Sequence, residues 1–124
     1  MTDEELLARA DEIASRAYAP YSGFSVGCAV LTLDGTVIEG VNVENAAYPL
    51  GICAEPATFG RAIVEGYRPG DFTVAAITAS PCGGCRQWLV EMQVERVVFR
   101  NGGRLVRMTV DELLPEQFDA GDLA

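Results

Sequence analysis

Histidine is absent from this chain of 124 residues. Without an imidazole the protein cannot build a Ser-His-Asp or Cys-His nucleophilic site, and it cannot bind a metal through histidine. Cysteine thiolates and carboxylates are the remaining side chains that bind transition metals well. Any such site must therefore be made of these two residue types.

Long apolar segments and excess positive charge are also absent. No apolar run approaches the roughly 20 residues that a membrane-spanning helix needs, and the acidic start of the chain, Met1 to Glu5, does not resemble a basic secretory signal. The net charge of −9 repels phosphate backbones and anionic membrane surfaces. We expect a cytoplasmic protein that binds neither membranes nor long nucleic acids, and that acts on a small uncharged molecule.

The order of predicted elements indicates an α/β protein. The length and the 49% hydrophobic content suit a single domain over residues 1–124. Capping and periodicity predict helices from Thr2 to about Ala17, Ala54 to Glu65 and Ser80 to Met92, with a brief helix after Thr109. Strands are predicted near residues 25–33, 36–43, 72–79, 96–100 and 104–108. The alternation predicts a three-layer α-β-α sandwich around a mixed sheet of about five strands, with a hairpin at one edge and parallel crossovers elsewhere.

Three of the four cysteines lie at predicted helix starts. Cys53 precedes the second helix, and Cys82 and Cys85 begin the third, at the same end of the sheet. Helix N-termini favour thiolates, so we expect all three thiols to ionise readily. Three protein ligands leave a zinc ion one open position for water, whereas structural sites usually have four. Cys28, within the apolar run 26–30, is assigned to the core, and disulfides are not expected in a reducing compartment.

Glu55 follows Cys53 by two residues. A carboxylate next to the metal can take a proton from bound water and deliver it elsewhere. Its position alone suits a solvated glutamate equally well, since the helix dipole stabilises such a residue by about 0.3–1 kcal/mol. The neighbouring cysteines favour the catalytic interpretation.

The motif Cys53-Ala54-Glu55, followed by Pro81-Cys82-x-x-Cys85, resembles the signature of the zinc-dependent deaminases. The narrower resemblance is to the small cytidine deaminases with three cysteine ligands, and it extends from the first helix to Phe118. Five segments in the right order carry it: YAPYSGF (18–24), VG (26–27), GVNVENAAY (40–48), SPCGGCRQ (80–87) and LLP (113–115).

This resemblance implies a reaction and a role for each matching residue. Zinc would be bound by Cys53, Cys82 and Cys85, and Glu55 would move protons while activated water attacks C4 of cytidine or deoxycytidine, in pyrimidine salvage. Substrate-binding roles are implied for Phe24 on the base, Asn42 and Glu44 on the ribose, the Ala54 backbone, Tyr48 and Phe118. The family members are homotetramers whose sites are completed by neighbouring subunits, which makes Tyr48 and Phe118 candidate interface residues.

One departure concerns the charge of the metal site. Three-cysteine members often carry an arginine after the catalytic glutamate, which hydrogen-bonds the thiolates, but this chain has Pro56. Zinc with three thiolates is net negative, which opposes acidification of its water. We expect the helix N-termini, with Arg86 or Arg61, to neutralise part of that charge. Arg86 directly follows a ligand, whereas the favoured role of Arg61 is a solvated surface charge.

Parts of this sequence are also compatible with other functions. Proline in place of the usual arginine at position 56 is also consistent with a different substrate, such as a modified cytidine or a blasticidin-like nucleoside antibiotic. A non-catalytic, zinc-stabilised binding module would require a fourth protein ligand. A redox Cys-x-x-Cys motif would leave Cys53 and Glu55 without a role.

Overall fold

A mixed sheet of five strands forms the centre of the protein in the computed structural model, which describes all residues 1–124. The strands are β1 (Gly27–Thr32), β2 (Val37–Val41), β3 (Phe72–Ile77), β4 (Arg96–Asn101) and β5 (Arg104–Met108), in the order β2-β1-β3-β4-β5. The helices are α1 (Asp3–Ala14), α2 (Ala54–Val64), α3 (Gly83–Glu91) and α4 (Val110–Leu113). Short 3-10 helices cover Tyr48–Leu50 and Ala120–Leu123.

The strand directions correct one part of the sequence prediction. Only β3 and β4 are parallel neighbours, since β1 runs antiparallel to both β2 and β3, and β5 runs antiparallel to β4. A second hairpin therefore closes the other edge. Its turn contains Gly102 and Gly103, which both have positive φ angles (58° and 81°), and glycine adopts such angles without steric cost.

Helices cover both faces of the sheet, which confirms the three-layer sandwich. Helix α1 lies on one face, and its Leu6, Leu7 and Ala10 pack on residues of β1, β3 and β4. Helices α2 and α3 lie on the other face, where Phe59 and Leu89 enter the larger core. No helix is long and apolar enough to cross a membrane.

Two glycines allow the layers to approach closely. A Cβ atom on Gly27 would lie 2.0 Å from the Ala10 carbonyl oxygen, so α1 packs directly against the backbone of β1. A Cβ on Gly40 would lie 2.2 Å from Oγ1 of Thr58, which places α2 equally close to β2. Gly40 lies near the carboxyl end of β2, so α2 packs against that end of the strand.

Helix boundaries differ from the predictions at two points. Helix α1 has the predicted capping box of Thr2 and Glu5, but it ends at Ala14, because Tyr18 is drawn into an extended bridge with Val43. Helix α3 begins at Gly83, with Cys82 as its N-cap instead of Ser80. The main-chain amide of Arg86 donates to the Cys82 carbonyl at 3.0 Å, so the first helical turn starts at Cys82 and Ser80 lies before the helix.

Candidate metal centre and substrate cleft

Three cysteine thiols converge at one end of the sheet, beyond the carboxyl ends of β2 and β3. Cys53 is the N-cap of α2, Cys82 is the N-cap of α3, and Cys85 is the third residue of α3. The Sγ atoms of Cys53 and Cys82 are 3.9 Å apart, and all three sulfurs lie within 4.8 Å of one another. Tetrahedral zinc with Zn–S bonds of 2.3 Å requires sulfurs about 3.8 Å apart. The donor set therefore fits zinc in both chemistry and spacing.

The sheet topology explains this convergence. Strands β2 and β3 both run antiparallel to β1, so their carboxyl ends point to the same edge. The chain leaves β2 towards Cys53 and α2, and it leaves β3 towards Cys82 and α3. Both helices thus direct their N-terminal amides at the thiols, where they favour negative charge.

The protein supplies no fourth ligand at this centre. Cys28, in β1, is fully buried in the larger core, as predicted, and burial raises the pKa of its thiol. No other group of three or more cysteine, aspartate or glutamate side chains is close enough to hold a metal. Zinc held by these three thiols would keep one position for water or substrate, which argues against a purely structural zinc module.

The thiols do not all favour ionisation by themselves, which differs from our expectation. Burial raises the pKa of Cys53, and burial together with the negative charge of Glu55 raises the pKa of Cys85. Burial also opposes ionisation of Cys82, but the amide and thiol of Cys85 stabilise its thiolate more, so its pKa is lowered. At Cys53 and Cys85, burial therefore outweighs the effect of the helix N-termini. Coordination to a dication reverses this balance, since a coordinating thiol is deprotonated outright.

Glu55 is a buried carboxylate that faces the thiols. It is only 3% exposed and lines the same cavity as Cys53, Cys82 and Cys85. The alternative of a solvated glutamate at a helix start is therefore wrong. Burial raises the pKa of Glu55, which makes its carboxylate a better proton acceptor near neutral pH.

The cavity extends from the thiols to polar and aromatic side chains of the preceding loops. It has a volume of about 300 Å³. Phe24, Asn42, Glu44 and the start of α2 at Ala54 contribute to its lining. Phe24 is 63% exposed, at the outer rim of the cavity. The structure thus brings four of the six predicted substrate-binding residues together with the thiols.

Asn42 and Glu44 use most of their hydrogen-bonding capacity to hold the loop that carries Phe24. The Asn42 amide nitrogen donates to the Phe24 carbonyl at 2.8 Å, and its oxygen accepts from the Val26 amide at 2.8 Å. Glu44 accepts from the main-chain amides of Tyr21 and Ser22. One N–H of Asn42 and part of the Glu44 carboxylate remain free for a ligand.

Ser22, to which the sequence pattern assigned no role, holds Glu44 and the loop that carries Phe24. Its hydroxyl donates to the Glu44 carboxylate and accepts from the Phe24 amide. The hydroxyl is the main reason that the pKa of Glu44 lies below its ordinary value. The signal was present in the motif YAPYSGF, since serine commonly bonds to nearby backbone in turns.

Tyr48 and Phe118 do not reach the cavity with the thiols in a single chain. Tyr48 is 74% exposed and lines an adjoining cavity with Tyr21 and Glu44. Phe118 is 58% exposed on the C-terminal segment, where its carbonyl accepts a hydrogen bond from Gln87. Both side chains are therefore free to contact another molecule.

The two arginines named as candidates for charge compensation lie in different surroundings. Arg61 is in the last turn of α2, about 10 Å along the helix from Ala54, and it pairs with Glu65. Its charge is therefore paired at the protein surface, away from the thiols, and only Arg86 remains a candidate for charge compensation. Arg86 directly follows Cys85 and donates to the Pro81 carbonyl.

Comparisons with known proteins agree with this geometry. Residues 1–101 match the model of the family described as "Cytidine and deoxycytidylate deaminase zinc-binding region". The chain is 38% identical to a cytidine deaminase of Sporosarcina psychrophila, with 100% of this chain and 96% of that protein covered. It is 39% identical to a cytidine deaminase of Halalkalibacterium halodurans, with 99% and 98% covered.

Solved structures give the same result for the fold. The crystal structure of cytidine deaminase from Burkholderia pseudomallei superposes with a TM-score of 0.88 at 40% identity, covering 95% of this chain and 100% of that one. The cytidine deaminase of Mycobacterium tuberculosis has a TM-score of 0.82 at 34% identity, covering 95% of this chain and 98% of that one. The likeness includes the sheet and the helices that carry the thiols.

Proposed function

The chain belongs to the cytidine and deoxycytidylate deaminase family, and we propose that it converts cytidine and deoxycytidine to uridine and deoxyuridine by hydrolysis. In this reaction water adds to C4 of the base and the amino group leaves as ammonia. The observation that carries the proposal is the buried Glu55 facing three convergent thiols within one nucleoside-sized cavity. The fit of the thiols to tetrahedral zinc supports a metal-dependent hydrolase.

Cys53, Cys82 and Cys85 would hold the zinc ion. When bound, zinc acts as a Lewis acid that makes water a stronger acid and a usable nucleophile near neutral pH. The three thiols and Glu55 line the same cavity. The protein therefore needs only one further group to move protons at this point.

Glu55 would perform the proton transfers. Its carboxylate takes a proton from the attacking water, delivers it to N3 of the pyrimidine, and then assists protonation of the departing amino group. Its raised pKa suits both directions of transfer, because the protonated and ionised forms are closer in free energy than for a solvated glutamate. Burial also excludes bulk water from these steps.

The remaining residues of the cavity would bind the nucleoside. Phe24 offers an aromatic face to the base, and the Ala54 main chain lies beside Glu55, where it can hydrogen-bond the base. Asn42 and Glu44 would bind the ribose hydroxyls with the groups that the loop leaves free. The cavity lining contains no arginine, and Glu44 is anionic there, which supports a nucleoside substrate over a phosphorylated one.

The protein would act as a homotetramer in which neighbouring subunits complete each site. Large exposed side chains support this assembly, since Tyr48, Leu50 and Phe118 are 74%, 68% and 58% exposed in the single chain. Light scattering should then give about four times the chain mass of 13.3 kDa. A monomer would contradict the assembly but not the chemistry.

A cytoplasmic role in pyrimidine salvage follows from the proposed reaction. Free nucleosides are the substrates, and the products return to the uridine pool. A reducing compartment would also keep the three ligand thiols available for zinc.

An ammonia-release screen tests the proposed function. Purified protein, with its zinc content measured, is incubated with cytidine, deoxycytidine, cytosine, adenosine and a blasticidin-type nucleoside. We expect ammonia from cytidine and deoxycytidine, and none from adenosine or the free base. Release from the antibiotic alone would support the changed substrate suggested by Pro56. Release from none of them by zinc-loaded protein would contradict the deaminase function.

A further inference from the structure

Arg86 joins the metal-binding loop to the C-terminal part of the chain. Its Nε donates to the Pro81 carbonyl at 3.0 Å, and its Nη1 donates to the Leu113 carbonyl at 2.8 Å. A weaker contact runs from Nη2 to Oγ of Ser80 at 3.4 Å. One guanidinium therefore connects the two residues before Cys82 with the last residue of α4.

The position of this cation is unusual in electrostatic terms. Arg86 is the fourth residue of α3, near the positive end of the helix dipole, where a cation is disfavoured. It is half-buried and makes no ion pair with a carboxylate. The arginines that do form such pairs are Arg9, Arg61, Arg96, Arg100 and Arg107.

Two neighbouring features offset the unfavourable interaction of the Arg86 charge with the dipole of α3. The Leu113 carbonyl lies at the C-terminal end of α4, where the partial charge is negative. The thiols of Cys82 and Cys85 belong to the same first turn of α3. Three thiolates around a dication would carry a net negative charge, which favours a cation on the residue that follows Cys85.

The two ligands of α3 differ in what holds them. Cys85 is buried and lies within the helix, whose packing fixes it. Cys82 is exposed and has the extended backbone of an N-cap, with φ −68° and ψ 171°. The chain before Cys82 therefore needs a separate attachment, and the bond from Arg86 to the Pro81 carbonyl provides it.

We propose that Arg86 is a positioning residue for the metal centre, whose guanidinium bridges the Pro81 and Leu113 carbonyls and so fixes the loop that carries Cys82. The inference rests on the proposed function in one respect, namely that the three thiols bind zinc. The bridge needs two donors held in a fixed plane, which arginine has and lysine lacks. Charge alone is therefore not sufficient for this role.

The test compares Arg86→Gln and Arg86→Lys with the wild type and a matched control. Arg68→Gln is the control, because Arg68 also donates to two main-chain carbonyls, those of Ile63 and Tyr67, without a carboxylate partner. Zinc affinity is measured by competition with a colorimetric chelator. Turnover of cytidine gives kcat and KM separately, and thermal unfolding of the chelator-treated proteins compares the folds without metal.

We expect Arg86→Gln to weaken zinc binding by about 10- to 100-fold, the usual effect of losing a group that orients a metal ligand. Arg86→Lys should also bind zinc more weakly than the wild type, and Arg68→Gln should match the wild type. The loss in turnover should lie in kcat, since the groups that contact the nucleoside are unchanged. If Arg86→Gln does not fold, Arg86→Lys gives the same comparison, because it preserves charge and most of the volume.

Two results would overturn the proposal. Zinc binding by Arg86→Gln equal to that of Arg68→Gln would mean that the bridge does not support the metal centre. Zinc binding by Arg86→Lys equal to that of the wild type would mean that charge, and not the bridge, is what matters. The zinc content of the wild type is measured first. A wild type that binds no zinc would contradict the proposed function itself, independently of the role of Arg86.

Discussion

The Sγ atoms of Cys53 and Cys82 lie 3.9 Å apart, although the two residues are 29 positions apart in the chain. Each is the N-cap of a helix that follows a strand, and the two strands end at the same edge of the sheet. Cys85 completes the group from within α3. The fold therefore places a group of three thiols next to a buried carboxylate, Glu55.

The cysteines should differ sharply in their effect on zinc content. Cys85→Ala removes one of three ligands, so the purified variant should lose most of its zinc. Cys28→Ala is the matched control, because Cys28 is fully buried in the core and lies outside the thiol group. It should keep its zinc and lose only about 1 kcal/mol of stability. Full zinc occupancy in Cys85→Ala, measured by elemental analysis, would show that the triad is not the site.

Asn42→Asp should weaken nucleoside binding. The aspartate keeps an acceptor for the Val26 amide, but it replaces the donor to the Phe24 carbonyl with a second acceptor. The repulsion should displace the loop that carries Phe24 and raise KM for cytidine by about 5- to 150-fold, equivalent to about 1–3 kcal/mol. Steady-state kinetics measure this effect.

Asn45→Asp is the control for that substitution. The Asn45 side chain only accepts, from the Ala47 amide, and an aspartate can do the same. Its KM should stay close to that of the wild type. Equal increases in KM in both variants would mean that added negative charge, and not the lost donor, causes the effect.

Much of the chain's local structure was predictable, because local interactions determine it. The capping boxes at Thr2 and Thr109 begin α1 and α4, and Pro56 lies in the first turn of α2. The triad was also predictable, since the spacing of Cys82 and Cys85 and the placement of Cys53 each follow from helix starts.

Features that depend on contacts between distant residues were not predictable. The end of α1 depends on the bridge between Tyr18 and Val43, which no local sequence pattern predicts. The pKa of Cys85 is raised because helix packing and Glu55 surround it, an effect opposite to that of the helix N-terminus.

Gly27→Ala should destabilise the protein through the contact between α1 and β1. The new Cβ would lie 2.0 Å from the backbone oxygen of Ala10, so the helix must move, and the cost should be about 1–3 kcal/mol. Gly60→Ala is the control, because Gly60 is exposed in α2 with nothing near its Cβ position, and it should stabilise by about 0.5–1 kcal/mol. Urea unfolding measures both. A neutral Gly27→Ala would contradict the close packing of these layers.

Asp34 should contribute to stability in a pH-dependent way. Hydrogen bonds from the hydroxyl of Thr32, from Thr36 and from Tyr67 lower the pKa of Asp34 from 3.8 to about 2. A lowered pKa in the folded state means that the contribution is complete above pH 3.8 and is lost as the pH falls towards 2. The gap in urea midpoint between wild type and Asp34→Asn should therefore shrink over this range.

Asp111→Asn is the control for this pH effect, since Asp111 is an exposed aspartate without a side-chain hydrogen bond. The difference in urea midpoint between Asp111→Asn and the wild type should change less between pH 5 and pH 2 than the difference between Asp34→Asn and the wild type. A gap for Asp34→Asn that stays constant with pH would mean that the turn does not depend on the ionised carboxylate.

The most direct test of the deaminase site is the turnover of cytidine by Glu55→Gln, measured together with zinc content. Glutamine preserves the size of the side chain but cannot accept and return a proton, while the three thiols are untouched. We predict that the variant keeps the zinc content of the wild type and that kcat/KM falls by about 10²- to 10⁴-fold. Ammonia release by zinc-loaded Glu55→Gln at the wild-type rate would contradict the role of Glu55.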